Sequence, residues 1–233
     1  MTSARDQVVL LTRGISLPLE PLRAIHLKII ADAICAAWRE ALAEVPQGLA
    51  TNEESWINFD MIVRLTIALR GARRSPFATL VSEVHRGVEQ PNFDGSAIEK
   101  RPDINFLLTS GIPGFPLIGE CKIIDAAKGQ TVGKYDLNGV RRFVDGRYAW
   151  FDAQAFMIAY VRDRTHVEPA IATLTGTPPS RQPTRFGRHV ATTHDRQFDY
   201  IDRGPDIGVP GPITIIHVWL DTTVSPAPLP QTP

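Results

Sequence analysis

The chain has no excess of charge of either sign, since 25 lysines and arginines balance 25 aspartates and glutamates among its 233 residues. That excludes a generally basic surface, so any contact with nucleic acid has to be made by local clusters. Cysteine is scarce. Cys35 and Cys121 stand far apart, which leaves no disulfide framework and no Cys/His zinc cluster, and reduced thiols in a cytosol are the expectation. Hydrophobic residues make up 43% of the chain, yet no apolar run reaches the ~18 to 20 residues of a membrane span. The opening Met1-Thr-Ser-Ala-Arg-Asp lacks the basic-then-apolar order of a signal peptide, so a soluble, cytoplasmic protein is expected. Also missing are a Gly-rich phosphate loop, a Gly-x-Ser-x-Gly elbow, an internal repeat, a helix-turn-helix and a zinc finger.

What the chain does have is concentrated in residues 101–124, where Arg-Pro-Asp-Ile-Asn-Phe-Leu-Leu, a Gly/Pro turn and Pro-Leu-Ile-Gly-Glu-Cys-Lys-Ile-Ile follow one another. Side chains in a strand repeat every two residues. Asp103 and Asn105 therefore share one face of a first strand, Glu120 and Lys122 share a face of a second, and Cys121 points the other way. A hairpin closed around residues 110–113 sets Asp103 opposite Glu120, because both are about equally far from the turn. A hard divalent cation takes oxygen ligands and is commonly held by one or two carboxylates, with waters and phosphate oxygens completing the shell. Asp103 and Glu120 can supply those carboxylates. Phosphodiester hydrolysis also needs a water nucleophile and relief of charge on the phosphate oxygens, a task for a metal and a nearby ammonium such as Lys122. The plain alternative is an ion pair between Glu120 and Lys122 with no chemistry. Apolar neighbours on both strands make buried, functional charges the stronger reading.

Pro-Asp, a hairpin-length gap and Glu-x-Lys closing an apolar strand resemble the PD-(D/E)xK nuclease superfamily, also called restriction-endonuclease-like, here in the form of an uncharacterised bacterial member. The resemblance implies an α/β fold with a mixed central sheet of four or five strands flanked by helices, and an N-terminal helical extension. It implies Mg²⁺, with Mn²⁺ able to substitute, held by Asp103, Glu120 and the main-chain carbonyl of Cys121. Lys122 would orient the water or stabilise the transition state. It further implies endonuclease action on DNA rather than RNA, with a role in defence, repair or mobile-element processing. A homodimer or a companion specificity protein would supply what the chain lacks as a reader.

Helical spacing predicts a first helix over residues 22–45, with Ile25, Ile29, Ile34, Trp38 and Ala41 inward. Pro46 and Gly48 stop it. A second helix is expected from Thr51 or Ser55 to Arg70, burying Met61, Leu65 and Leu69, with Gly71 as its stop. Glu54 lies seven residues before Met61, on the same stripe. In the resembled superfamily a glutamate on the preceding helix approaches the metal, and Glu54 fits that role better than Glu53; an acidic residue that merely complements the helix dipole is the alternative. Glu83 competes, since residues 77–84 read as the first core strand. A later helix from Tyr135 turns Leu137, Val140, Phe143 and Val144 inward, and a buried strand follows at residues 155–161, implying a parallel crossover. On this element Tyr135, Arg141, Arg142 and Arg147 are candidates for the phosphate path, with half-buried packing or surface ion pairs as the alternative.

Arg73-Arg74, Lys100-Arg101 and the series Arg181, Arg185, Arg188 are further candidate phosphate contacts. Residues 175–188 read as a long surface loop, Val190 to Arg196 as a short strand, residues 204–212 as a Gly/Pro loop and residues 213–220 as a strand. His217, alternating within an apolar strand, reads as a hydrogen-bonded sheet residue, and His194, beside Asp195 and Arg196, as more open to function. The domain reading is a helical region at 1–75 packed on a nuclease-like core at 76–222, then a disordered proline-rich tail at 223–233.

Overall fold

The computed structural model describes residues 4–71, 75–99, 101–172, 174, 176–199 and 210–222. Arg73, Arg74, Lys100, most of the 204–212 loop and the 223–233 tail lie outside the described residues. The elements run α1 (Ala4–Leu11), α2 (Ala24–Glu44), α3 (Pro46–Thr51), α4 (Glu54–Gly71), α5 (Pro76–Leu80), β1 (Val81–His85), β2 (Gln90–Pro91), β3 (Ile98–Glu99), β4 (Ile104–Leu108) and β5 (Leu117–Ile124). After a 3₁₀ turn come α6 (Val132–Tyr135), a π-helical turn (Asp136–Val140) and α7 (Arg141–Val144), wound as one continuous rod. β6 (Gln154–Val161), α8 (Val167–Ala172), β7 (Thr184–Phe186), β8 (His189–His194) and β9 (Ile213–Asp221) follow.

The fold is α/β: a mixed seven-stranded sheet in the order β1-β4-β5-β6-β9-β8-β7, flanked by helices. β5, β6 and β9 are parallel neighbours, and the pairs on either side of them are antiparallel. The count exceeds the expected four or five because β8 pairs along β9 and β7 adds an edge beyond it. The start of the expected first strand is instead helical: Ser75 caps α5 by accepting the Ala78 amide, Pro76 suits the first helical position, and only Val81 onward is strand.

Alternation along the central strands sorts the core into two layers. Cys121, Phe156, Ile158, Tyr160, Ile216, Val218 and Leu220 pack under α2 and α4. Ile118, Ile124, Met157, Ala159, Ile213 and Ile215 pack under the α6–α7 rod. α2 starts and ends as the spacing predicts, but its buried stripe is Leu27, Ile30, Ile34, Trp38 and Ala41, and Ile25 faces out. Leu137 also faces outward, while Tyr135, Gly139, Val140, Phe143 and Val144 are buried. The wider i→i+5 winding of the π turn shifts the phase, so an inward residue recurs every fourth position.

Candidate functional site

The site forms where β5 outruns β4. Ladder pairing runs Ile104↔Gly119, Asn105↔Ile118 and Phe106↔Leu117, then stops, because β4 begins at Ile104. β5 continues to Ile124, paired only with β6 on its other side. The open edge exposes alternate amides, and buried amides without partners are costly. Two carboxylates satisfy them. Asp103 Oδ2 accepts the Cys121 amide at 2.9 Å, and Glu54 Oε2 accepts the Ile123 amide at 3.1 Å. The register extended by one pair sets Asp103 beside Glu120, as the hairpin spacing predicts.

Lys122 points into this notch. Its Nζ lies 3.0 Å from Glu120 Oε1, 3.0 Å from Glu54 Oε1, 3.7 Å from Asp103 Oδ2 and 2.5 Å from the Cys121 carbonyl. Arg142 approaches from α7, with Nη1 2.9 Å from the same Glu120 oxygen and 3.1 Å from the Tyr148 hydroxyl, its guanidinium lying over the Tyr148 ring. Tyr148 in turn donates to the Arg101 carbonyl. Three carboxyl groups thus face two cationic side chains.

The electrostatics follow from burial. Glu120 is 1% exposed. Burial first, and then the charge of Asp103, push its carboxyl up to about 8 against the pull of Lys122 and Arg142. Burial likewise raises Glu54, with Lys122 opposing. For Lys122 burial acts downward, but Glu120, Asp103 and Glu54 together outweigh it and hold the ammonium above the ordinary lysine value. Lys122 therefore stays protonated, a donor and a charge rather than a base.

Two residues that the sequence reading does not single out support the acids. Asn58, one helical turn after Glu54, donates from Nδ2 to Asp103 Oδ1 at 2.9 Å, and its own oxygen accepts the Tyr160 hydroxyl at 2.9 Å. The only sequence signal is the i, i+4 spacing of Glu54 and Asn58 on one helix face.

Other candidates fall elsewhere. Glu83 sits exposed on β1, paired with Leu107, and makes no contact with the Lys122 group among the described residues. Tyr135 is fully buried, and its hydroxyl meets His217 Nδ1 at 2.6 Å rather than the acidic notch. His217 Nε2 and His194 Nε2 both contact Thr192 Oγ1 at 2.7 Å, so both histidines belong to a buried polar chain across β8 and β9. Arg141 and Arg147 line a polar depression of about 420 Å³ with Asn138, Arg142, Asp145 and Gln197. Arg142 joins that depression to Glu120.

Whether the notch suits a divalent cation is a question of its oxygens. Among the described residues no group of three His, Cys, Asp or Glu is arranged to hold a metal by protein ligands alone. Mg²⁺ does not require one, since one or two carboxylates commonly suffice. Glu120 Oε2 and Asn105 Oδ1 are buried with no hydrogen-bond partner among the described residues, and buried orphan oxygens call for an explanation. The Lys122 ammonium, ringed by the oxygens of Asp103, Glu120, Glu54 and Cys121, shows that these donors converge on a cation. The hard oxygen set fits Mg²⁺ or Mn²⁺.

No protein-family model, curated protein or solved structure matches the chain. Among the described residues no helix is long and apolar enough to cross a membrane.

Proposed function

We propose that the chain is a metal-dependent nuclease with a restriction-endonuclease-like core of the PD-(D/E)xK type, hydrolysing phosphodiester bonds, DNA before RNA, and internally rather than from ends. The observation that carries this reading is the convergence of Asp103, Glu120 and Lys122 at a break in the sheet ladder, joined by Glu54 from a helix 68 residues away in sequence.

Asp103, Glu120 and the Cys121 carbonyl would hold Mg²⁺ or Mn²⁺, with Glu54 at the rim. The ion when bound supplies an activated water and a positive charge for the phosphate oxygens. The remaining work belongs to side chains. Asn58 fixes Asp103 through one oxygen while the Cys121 amide fixes the other, so the carboxylate is oriented before any ligand arrives. Lys122, held protonated, donates to the attacking water or to a phosphate oxygen where charge grows. Arg142 steadies Glu120 and extends a second positive group toward the Arg141–Arg147 depression, a path for flanking phosphates.

A second reading, a catalytically silent domain of the same fold that binds nucleic acid or a partner protein, is favoured by one observation: Lys122 is already surrounded by four oxygens and needs no ligand to be satisfied. One experiment separates them. Purified protein is incubated with supercoiled, linear and single-stranded DNA and with RNA, in Mg²⁺, Mn²⁺ or chelator, beside Asp103→Ala and Lys122→Ala. Cleavage that requires metal and disappears in both folded variants supports the nuclease. No cleavage with any substrate, and no stabilisation by either ion, leaves the silent domain.

A further inference from the structure

Helix α4 serves the notch with one side and leaves another bare. Ile57, Met61 and Leu65 are fully buried, whereas Trp56, Phe59, Val63 and Ile67 are 37%, 67%, 38% and 58% exposed. Their spacing of three, four and four residues is that of one helical ridge. Single exposed apolar residues are ordinary, but a contiguous row of four, two of them aromatic, marks an interaction surface. The row is closed at its ends by charge: Glu53 is exposed just before the helix and Arg70 is exposed in its last turn.

We propose that this row is the contact between two copies of the chain, packed as an antiparallel α4 pair about a two-fold axis. An axis crossing the helix between Met61 and Ile62 sets Trp56 against the partner's Ile67 and Phe59 beside the partner's Val63. The same axis sets Glu53 against the partner's Arg70. Residue order along the row is matched from both ends, which is the self-complementarity an isologous interface requires. At 1.5 Å per residue the contact from Glu53 to Arg70 runs about 25 Å. Both ends then carry an ion pair across the axis, and the opposed helix dipoles add to them. These charges select the occupant. Nucleic acid would bring phosphates onto Glu53, and residues 223–233 contain no charged side chain to answer Glu53 or Arg70. The pairing does not depend on the chemistry proposed for Glu120 and Lys122.

The test is the mass of the full chain by sedimentation and light scattering across a wide concentration range. The wild type is expected to dimerise, and Phe59→Glu and Ile67→Glu to remain monomeric with unchanged circular dichroism. Glu53→Arg and Arg70→Glu, both at exposed positions, should each weaken association about tenfold, and the two together should restore it. A wild type that stays monomeric overturns the proposal. So does a dimer indifferent to Phe59→Glu, or a double exchange that associates no better than the single ones.

Discussion

Lys122 Nζ and Glu54 Oε1 lie 3.0 Å apart, joining the strand that closes the hairpin to the first residue of the helix on the opposite layer. The pair bridges the sheet edge where β4 has ended, so the helix layer reaches the polar notch without passing through the core. Everything the notch can do depends on that edge staying open to side chains rather than to another strand.

Asp103→Ala removes the acceptor of both the Cys121 amide and Asn58, and the two buried donors left without it should each lower stability by about 1–3 kcal/mol. Asp103→Asn keeps one acceptor and should lose less. Both should lose the stabilisation that Mg²⁺ or Mn²⁺ confers on the wild type in thermal melts. Equal ion-dependent shifts in wild type and variants would refute a role for Asp103 in cation binding.

Lys122→Met leaves Glu120 and Glu54 facing each other without their shared counter-charge. Nuclease activity should fall by about 10²-fold or more, while binding of the divalent ion should tighten or hold, because the competing ammonium is gone. Weaker ion binding in Lys122→Met, measured by calorimetry, would count against the ammonium and the metal sharing one set of oxygens.

Tyr160→Phe and Asn58→Ala act through Asp103 rather than on substrate. Ion affinity should drop by about 10- to 100-fold in Asn58→Ala, with a smaller loss in Tyr160→Phe, whose hydroxyl reaches Asn58 and the Cys121 thiol rather than Asp103 itself. If the two variants melt lower but bind the ion as the wild type does, the Asn58 contact is structural alone.

Acid should unfold the protein partly through its histidines. Burial, then Arg188, lowers His189 from 6.5 to about 4, and burial, then His194, lowers His217 from 6.5 to about 3. Both are neutral when folded and take up protons more readily when unfolded. Their contribution is therefore complete above pH about 6.5 and is lost as pH falls toward about 4 and about 3. Between pH 6.5 and 5 the two histidines should add a positive slope of stability with pH, opposed by Glu120, whose carboxyl, raised to about 8, holds its proton in the folded state. His189→Gln and His217→Gln should each flatten it, by up to about 1.4 kcal/mol per pH unit. A slope unchanged in both would mean that neither histidine is held neutral.

The hairpin and its paired acids were legible because a two-residue period and a centred turn fix register without knowledge of any other element. Glu54 was legible through its seven-residue spacing from Met61. Asn58 and Tyr160 were not, since their contacts join a helix to strands 45 and 102 residues away, and no local pattern encodes that meeting. Ordinary helical spacing turns Leu137 inward, whereas the chain widens into a π turn at Asp136 and leaves it exposed. Tyr135 followed from the same element: its place is set by His217 on β9, which only the folded sheet brings near. The outer strand β8 was legible at Val190 to Arg196, but the edge strand β7 falls inside the expected 175–188 loop because it is three residues long and carries almost no period.

The ending of β4 before β5 has one more consequence. An unpaired stretch of strand is a template on which a stray extended peptide can add, the route by which sheets grow into fibrils. Asp103 and Glu54 occupy the two amides such a peptide would need first, and their charges repel its carbonyls. Replacing both acids by alanine should therefore leave a protein that aggregates on storage.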